Sequence, residues 1–201
     1  MDAQKHAVPD NPVLDLIAKR WSPYAFSDKP VSNDDLRSLF EAARWAASSY
    51  NEQPWAYIVA ITTDVPEFNR LLSCLVEGNQ IWAQAAPVLA IGCASLQFKL
   101  NNKPNAAAVH DLGLASANLT LEATARGLCV HQMIGILPDR VRQLYRIPEG
   151  IQPLTGLAIG YAAEPNALPE KLRERDLAPR SRKQTAEFVF GQEWGQPSSL
   201  F

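Results

Sequence analysis

Residues 106–126 form a helix-length segment that is small and apolar on most of its circumference, and they constrain the fold more than any other part of the chain. A helix apolar nearly all round must be buried on several sides. In a chain of 201 residues that is easiest at the centre of the fold or in a subunit interface, so the segment points to oligomerisation. It is not a membrane span, because His110, Asp111, Asn118 and Glu122 interrupt it. Gly127 follows at once and suits a left-handed cap.

The remaining elements alternate around this centre. Asn11 and Pro12 start a helix whose apolar stripe, Val13, Leu14, Ile17 and Ala18, ends near Arg20. Ser32 and Asp35 stand in a capping-box arrangement ahead of Leu36, Leu39, Phe40, Ala43 and Ala47 at helical spacing. A strand-like run at 57–61 comes next, then a helix opened by Asp64, Pro66 and Glu67 that runs through Leu75 and stops at Gly78. Residues 87–94 predict a buried strand, 101–105 a polar loop, 128–133 a strand, 138–146 a short helix and 154–161 another strand. Between 164 and 183 large apolar residues are few, and Lys171, Arg173, Arg175, Arg180, Arg182 and Lys183 mark an extended cationic arm. Residues 186–190 predict a last strand. With 47% hydrophobic residues, 1–201 can bury a core as a single domain.

Charge and cysteines narrow the function. A net charge of −2 argues against nucleic acid or an anionic membrane as partner, since either needs a basic face. Cys74, Cys93 and Cys129 are scattered and odd in number, which favours a reducing, cytoplasmic setting. The N-terminal MDAQKHAVPD has no apolar core for a secretory signal. No metal site is expected: Cys129 and His131 are the only close pair of soft ligands, and a packed Cys beside a hydrogen-bonded His accounts for them. The G-x-S-x-G elbow, the Walker loop and the G-x-G-x-x-G fingerprint are all absent.

Chemistry concentrates in two places. The run SSYNEQPW, Ser48 to Trp55, sets hydroxyls, an amide and a carboxamide at a helix-to-strand corner. Such groups can face a planar heterocycle while Trp55 and Tyr57 fill the space beneath, although a plain Ser/Asn-rich turn has the same composition. Arg20 with Ser22, and Arg180 with Ser181 and Arg182, are two anion-binding candidates at opposite ends of the chain. An arginine fork with a neighbouring hydroxyl suits a phosphate monoester, and a phosphorylated flat aromatic ligand such as FMN fits the combination.

These residues, in this order, resemble the FMN-dependent nitroreductase family over nearly the whole chain. Arg20-Trp21-Ser22-Pro23-Tyr24-Ala25-Phe26 is similar to the family's opening R-x-S-x-[RK]-x-F, and residues 47–55 to its P-S-S-x-N-x-Q-P-W. Further likeness lies in Asn79, Gln80 and Trp82 before Ala86-Pro87-Val88, in Asn118-Leu119, in residues 127–135 (GLCVHQMIG), and in Ile147-Pro148-Glu149-Gly150 before the 157–161 strand.

The resemblance implies an α+β fold, a nitroreductase-like central mixed β-sheet flanked by helices, in an intertwined homodimer with FMN at the interface. It implies ping-pong electron transfer from NADH or NADPH to a small-molecule acceptor, a nitroaromatic, quinone or related electrophile. By the same likeness Arg20, Ser22, Arg180 and Arg182 hold the phosphate, with Trp21 and Tyr24 in the same motif. Ser48, Ser49, Asn51 and Gln53 serve the ribityl chain and ring from the partner subunit, Asn79 the ring edge, and Met133, Ile134 and Gly135 the flavin edge through the backbone. No protein group is expected to be catalytic, because the flavin itself carries the hydride chemistry. Tyr24 departs from the pattern, standing where the family has Arg or Lys. Dehalogenases and a flavin-consuming enzyme share the scaffold, and a flavin-binding dimer without turnover is a further alternative.

Overall fold

A computed structural model describes residues 5–200; Met1 to Gln4 of the polar N-terminal stretch, and Phe201, lie outside the described residues. The helices are α1 (Asp15–Lys19), α2 (Asn33–Arg44), α3 (Val65–Leu72), α4 (Glu77–Ala83), α5 (Ala108–Ala125), α6 (Pro138–Tyr145) and α7 (Glu170–Leu177). The strands are β1 (Trp55–Ile61), β2 (Val88–Ser95), β3 (Cys129–Met133) and β4 (Ile151–Gly160), ordered β1-β2-β4-β3. Every pairing is antiparallel, so within one chain the sheet is antiparallel rather than the mixed sheet expected.

Side chains alternate across a strand, so the sheet separates two cores. Leu89, Ile91 and Cys93 of β2 point to one face, with Ala158 of β4, and meet Phe68 and Leu71 of α3, Trp82 of α4 and Val141 of α6. Val88 and Ala90 point to the other, with Leu157 and Ile159, and meet Leu39 and Ala43 of α2 and Ala115, Leu119 and Ala123 of α5. Helices on both faces bury the central strands β2 and β4 almost completely. Register shifts at Gly92/Cys93, where Thr155 and Pro153 are successive partners and Leu154 is the extra residue of a bulge.

Several expected boundaries hold for the reasons given. Ser32 Oγ accepts from Asp35 N at 3.0 Å and Asp64 Oδ1 from Glu67 N at 3.2 Å, capping α2 and α3. Gly127 takes φ +72° beyond α5. Others do not. α3 ends at Leu72, not Leu75, because the next residues tighten into a turn and Leu75 bridges Ile136. Gly78 is no stop: it lies inside α4, a helix anchored by Trp82, which is 1% exposed. The 164–183 segment is extended only toward its end, since α7 forms within it, with Glu170 in its first turn and Arg175 in its last complementing the helix dipole. The strand expected at 186–190 is instead a 3₁₀ turn, Thr185–Glu187, held by reciprocal caps between Gln184 and Glu187; Phe190 alone bridges Pro197.

α5 occupies the centre, as its composition demands, yet one chain does not cover it on all sides. Ala108, Leu112, Ala115, Leu119 and Ala123 are buried, while Val109, Gly113, Ala117 and Ala125 line an uncovered face, Val109 at 43% exposure.

Candidate functional site

Three guanidinium groups converge at the end of α1. Arg20 follows that helix, and Arg180 and Arg182 return to it from the arm beyond α7. All three line one cavity of about 540 Å³ together with Ser181, Lys183 and Asp10. Arg20 Nη1 donates to Ser22 Oγ at 3.1 Å. The Ser22 hydroxyl thereby keeps its own proton for another acceptor. Arg180 Nη1 donates to Lys5 O at 2.8 Å and to Ala18 O, which fixes the arm against α1. Among the described residues Arg182 donates only to its neighbour Ser181 O, at 2.6 Å.

Among the described residues, none of the three arginines forms an ion pair. Burial, then the Arg182 guanidinium, presses the pKa of Arg20 below its ordinary value, with Cys129 opposing. Burial, then Arg20 and Arg182, does the same to Arg180. A dianion entering the cavity would relieve this repulsion and receive donors from both ends of the chain.

The backbone between Arg20 and Phe26 is held on every side. His131 Nδ1 lies 2.9 Å from Pro23 O, and because a carbonyl only accepts, that nitrogen carries the proton. Tyr24 N and Ala25 N donate to the buried Asp176 carboxylate at 2.8 and 3.3 Å, and Ala163 N donates to Ala25 O at 3.1 Å. The Tyr24 ring packs edge-on against Trp82 and His131, with centroids 5.2 and 4.7 Å apart. Trp21 turns to a neighbouring cavity of about 310 Å³, with the Lys5 ammonium 5.2 Å from its ring centroid.

His131 gives this segment a pH dependence. Burial lowers its pKa, outweighing the Pro23 carbonyl and the Asp176 carboxylate, which raise it. The unfolded chain takes a proton near the ordinary value of about 6.5, whereas the folded chain does so only at lower pH. Stability is therefore full above about 6.5 and falls as pH drops toward the folded value, where the loss levels off. Urea midpoints measured from pH 7 downward should show this slope in the parent and a shallower one in His131→Asn; equal slopes would assign it to other groups.

The SSYNEQPW corner is built around strained backbone. Tyr50, Asn51 and Gln53 have φ of 53°, 55° and 50°, a region costing roughly 1–2 kcal/mol per residue for side chains without the short polar reach of Asn. Local bonds hold it: Gln53 N donates to Ser48 Oγ at 3.0 Å, Gln53 Nε2 to Asn51 O at 3.2 Å, and Ser49 N to Asp111 of α5 at 3.1 Å. Glu52 Oε1 accepts from Lys99 N at 2.8 Å, and Tyr50 meets Phe98 edge-on, which docks the 96–103 loop on the corner. None of Ser48, Ser49, Asn51 or Gln53 lines the arginine cavity.

A third group lies after β3. Met133 is buried, Ile134 is 73% exposed, and Gly135 O accepts from Val76 N and Asn79 Nδ2 at 3.1 and 2.9 Å. A Cβ on Gly135 would collide with the Asn79 side chain and with Val76, so the approach requires glycine. One chain thus brings Arg20, Arg180 and Arg182 onto one cavity, with Ser22 bonded to Arg20 but outside the lining, and leaves the corner and the Asn79–Gly135 pair outside that cavity.

Other chemistries find no support. No group of three or more His, Cys, Asp or Glu could hold a metal ion among the described residues. Burial pushes the Cys93 thiol up to about 11 and raises that of Cys74, which makes both poor nucleophiles. No helix among the described residues is long and apolar enough to cross a membrane. Two carboxylates escaped the sequence reading. Asp111 left a signal, an acid interrupting an apolar helix; Asp176, inside a run of charges, left none.

Comparison with known proteins agrees with this geometry. Residues 17–75, which carry both Arg20 and the polar corner, match the model of the nitroreductase family. A solved structure described as an oxidoreductase containing FMN superposes with a TM-score of 0.88 at 33% identity, covering 94% of this chain and 96% of that one. A putative NADH dehydrogenase/NAD(P)H nitroreductase of Methanothermobacter thermautotrophicus is 30% identical over 76% of this chain and 78% of its own. An FMN reductase [NAD(P)H] of Bacillus subtilis is 27% identical over 81% of this chain and 70% of its own. The chain belongs to the nitroreductase family.

Proposed function

We propose that the protein is an FMN-dependent oxidoreductase that draws electrons from NADH or NADPH and delivers them to a small electrophile such as a nitroaromatic or a quinone. The observation that carries this reading is the convergence of Arg20, Arg180 and Arg182 on one cavity in which, although Asp10 also lines it, none of the three is ion-paired among the described residues. The donor set fits a phosphate monoester: guanidinium forks supply charge-assisted bonds, and Ser22 supplies a short hydroxyl. The names of the relatives support FMN and NAD(P)H as the partners of this site.

When bound, FMN supplies the hydride chemistry, which explains why no acid/base dyad stands in the site. The chain's own residues bind and orient. Arg20, Arg180, Arg182 and Ser22 fix the phosphate end, while Tyr24 of the same segment is anchored against Trp82 and His131. Ser48, Ser49, Asn51 and Gln53 offer polar groups for a polyol and a ring edge from a backbone already strained into place. Met133, Ile134 and Gly135, braced by Asn79, form a wall whose path matters more than its side chains.

The homodimer is part of the proposal. The uncovered face of α5, with Val109, Gly113 and Ala117, supports association with a second copy, which would bring a polar corner to each arginine cavity. Three cysteines without a disulfide among the described residues suit a cytoplasmic setting. The test is a visible spectrum of the purified protein followed by anaerobic titration with NADH and with NADPH. A flavin spectrum that bleaches with either donor is expected; one that persists with both means a flavin-binding protein without turnover.

A further inference from the structure

We infer that Asp176 is the positioning residue that assembles the arginine cavity, joining the arm that carries Arg180 and Arg182 to the segment that carries Arg20 and Ser22. The inference rests on the phosphate-binding reading of that cavity and adds a residue to it.

Asp176 is 4% exposed at the end of α7. A buried carboxylate is costly unless it is paired or well hydrogen-bonded. Among the described residues it forms no ion pair, although Lys5 feels its charge: the Lys5 ammonium is directed to Ala178 O at 2.6 Å. Its oxygens go instead to two consecutive backbone amides, Tyr24 N and Ala25 N, across sequence separations of 152 and 151 residues. This costly group therefore serves as a joint between two distant stretches of chain.

What it joins is informative. On one side, Arg180 and Arg182 follow Asp176 by four and six residues, beyond the helix end where the chain is extended. On the other, Arg20 and Ser22 precede Tyr24 by four and two residues, on a strand of backbone whose Pro23 and Ala25 carbonyls are also occupied. Arg20, Arg180 and Arg182 repel one another across the cavity. A fixed negative charge, bonded to one side and covalently part of the other, opposes that. Loss of the joint should leave the arginines in place along the chain while separating the two halves that must meet on one phosphate.

The test compares FMN with riboflavin, which lacks the phosphate, in full-length parent and Asp176→Asn protein. Asparagine keeps the volume and loses the charge and one acceptor. FMN affinity should fall by about 10- to 100-fold, the scale of a charged contact, with riboflavin affinity kept within about twofold. Parallel losses for both ligands would mean that Asp176 only supports the fold, and an unchanged FMN affinity would mean that the joint is idle; either overturns the inference. A parent that binds FMN no tighter than riboflavin fails earlier, because it removes the phosphate reading and this inference with it. Should Asp176→Asn not fold, amide exchange in the unsubstituted protein decides: FMN should slow Tyr24 N and Ala25 N together with the arm, and exchange unaffected by FMN overturns the joint.

Discussion

Arg182→Ala weakens FMN binding by about 10- to 150-fold, the loss of one charge-assisted contact of roughly 1.5–3 kcal/mol, and leaves the unfolding midpoint where it was. The separation of the two effects follows from what Arg182 does in the folded chain: it is exposed, and among the described residues its side chain donates to the adjacent Ser181 carbonyl alone. Arg180→Ala behaves differently. Its guanidinium also satisfies the carbonyls of Lys5 and Ala18, so its removal costs stability together with affinity. Riboflavin binding by the parent should fall short of FMN binding by a similar factor to that of Arg182→Ala. Calorimetric titration of both flavins against the parent and of FMN against both variants, with thermal unfolding beside it, gives the four affinities needed. If Arg182→Ala binds FMN as tightly as the parent, the phosphate lies elsewhere.

The two clusters, Arg20 with Ser22 and Arg180 with Ser181 and Arg182, were legible because charge beside a hydroxyl is a local pattern, and they meet in the structure without any intervening residue announcing it. The order of the main elements was legible for a similar reason: Ser32, Asp64 and Gly127 mark helix boundaries by bonds made within a few residues. Failures came where distant contacts decide. α4 exists because Trp82 is buried against Phe26, Tyr24 and His131, and no local feature overrides the apparent stop at Gly78. α7 was hidden by its charge, since Leu172 and Asp176 are the residues it buries or half-buries and only one is apolar. The corner is a mixed case. Its composition was visible, whereas the positive φ of Tyr50, Asn51 and Gln53 depends on Asp111 and Glu52 reaching other elements.

Mixed dimers should separate a site built from two chains from one built within a chain. In a single chain the arginine cavity is lined by none of Ser48, Ser49, Asn51 or Gln53, and α5 leaves an apolar face uncovered. If a second copy covers that face and brings its corner to the cavity, flavin binding and association are linked, and FMN stabilises the dimer by mass action. Pair one chain carrying Arg20→Ala and Arg182→Ala with another carrying Asn51→Ala. In a two-fold dimer with shared sites, both lesions fall in the same site: the mutated cavity of the first chain receives the mutated corner of the second. The other site combines an intact cavity with an intact corner, so about half the flavin should bind at parental affinity. Sites confined to one chain give a different titration, with every site damaged and no parental component, because each chain then carries its own lesion to its own flavin. Either homodimer alone has two damaged sites under both schemes, which makes recovery on mixing the signature of shared construction.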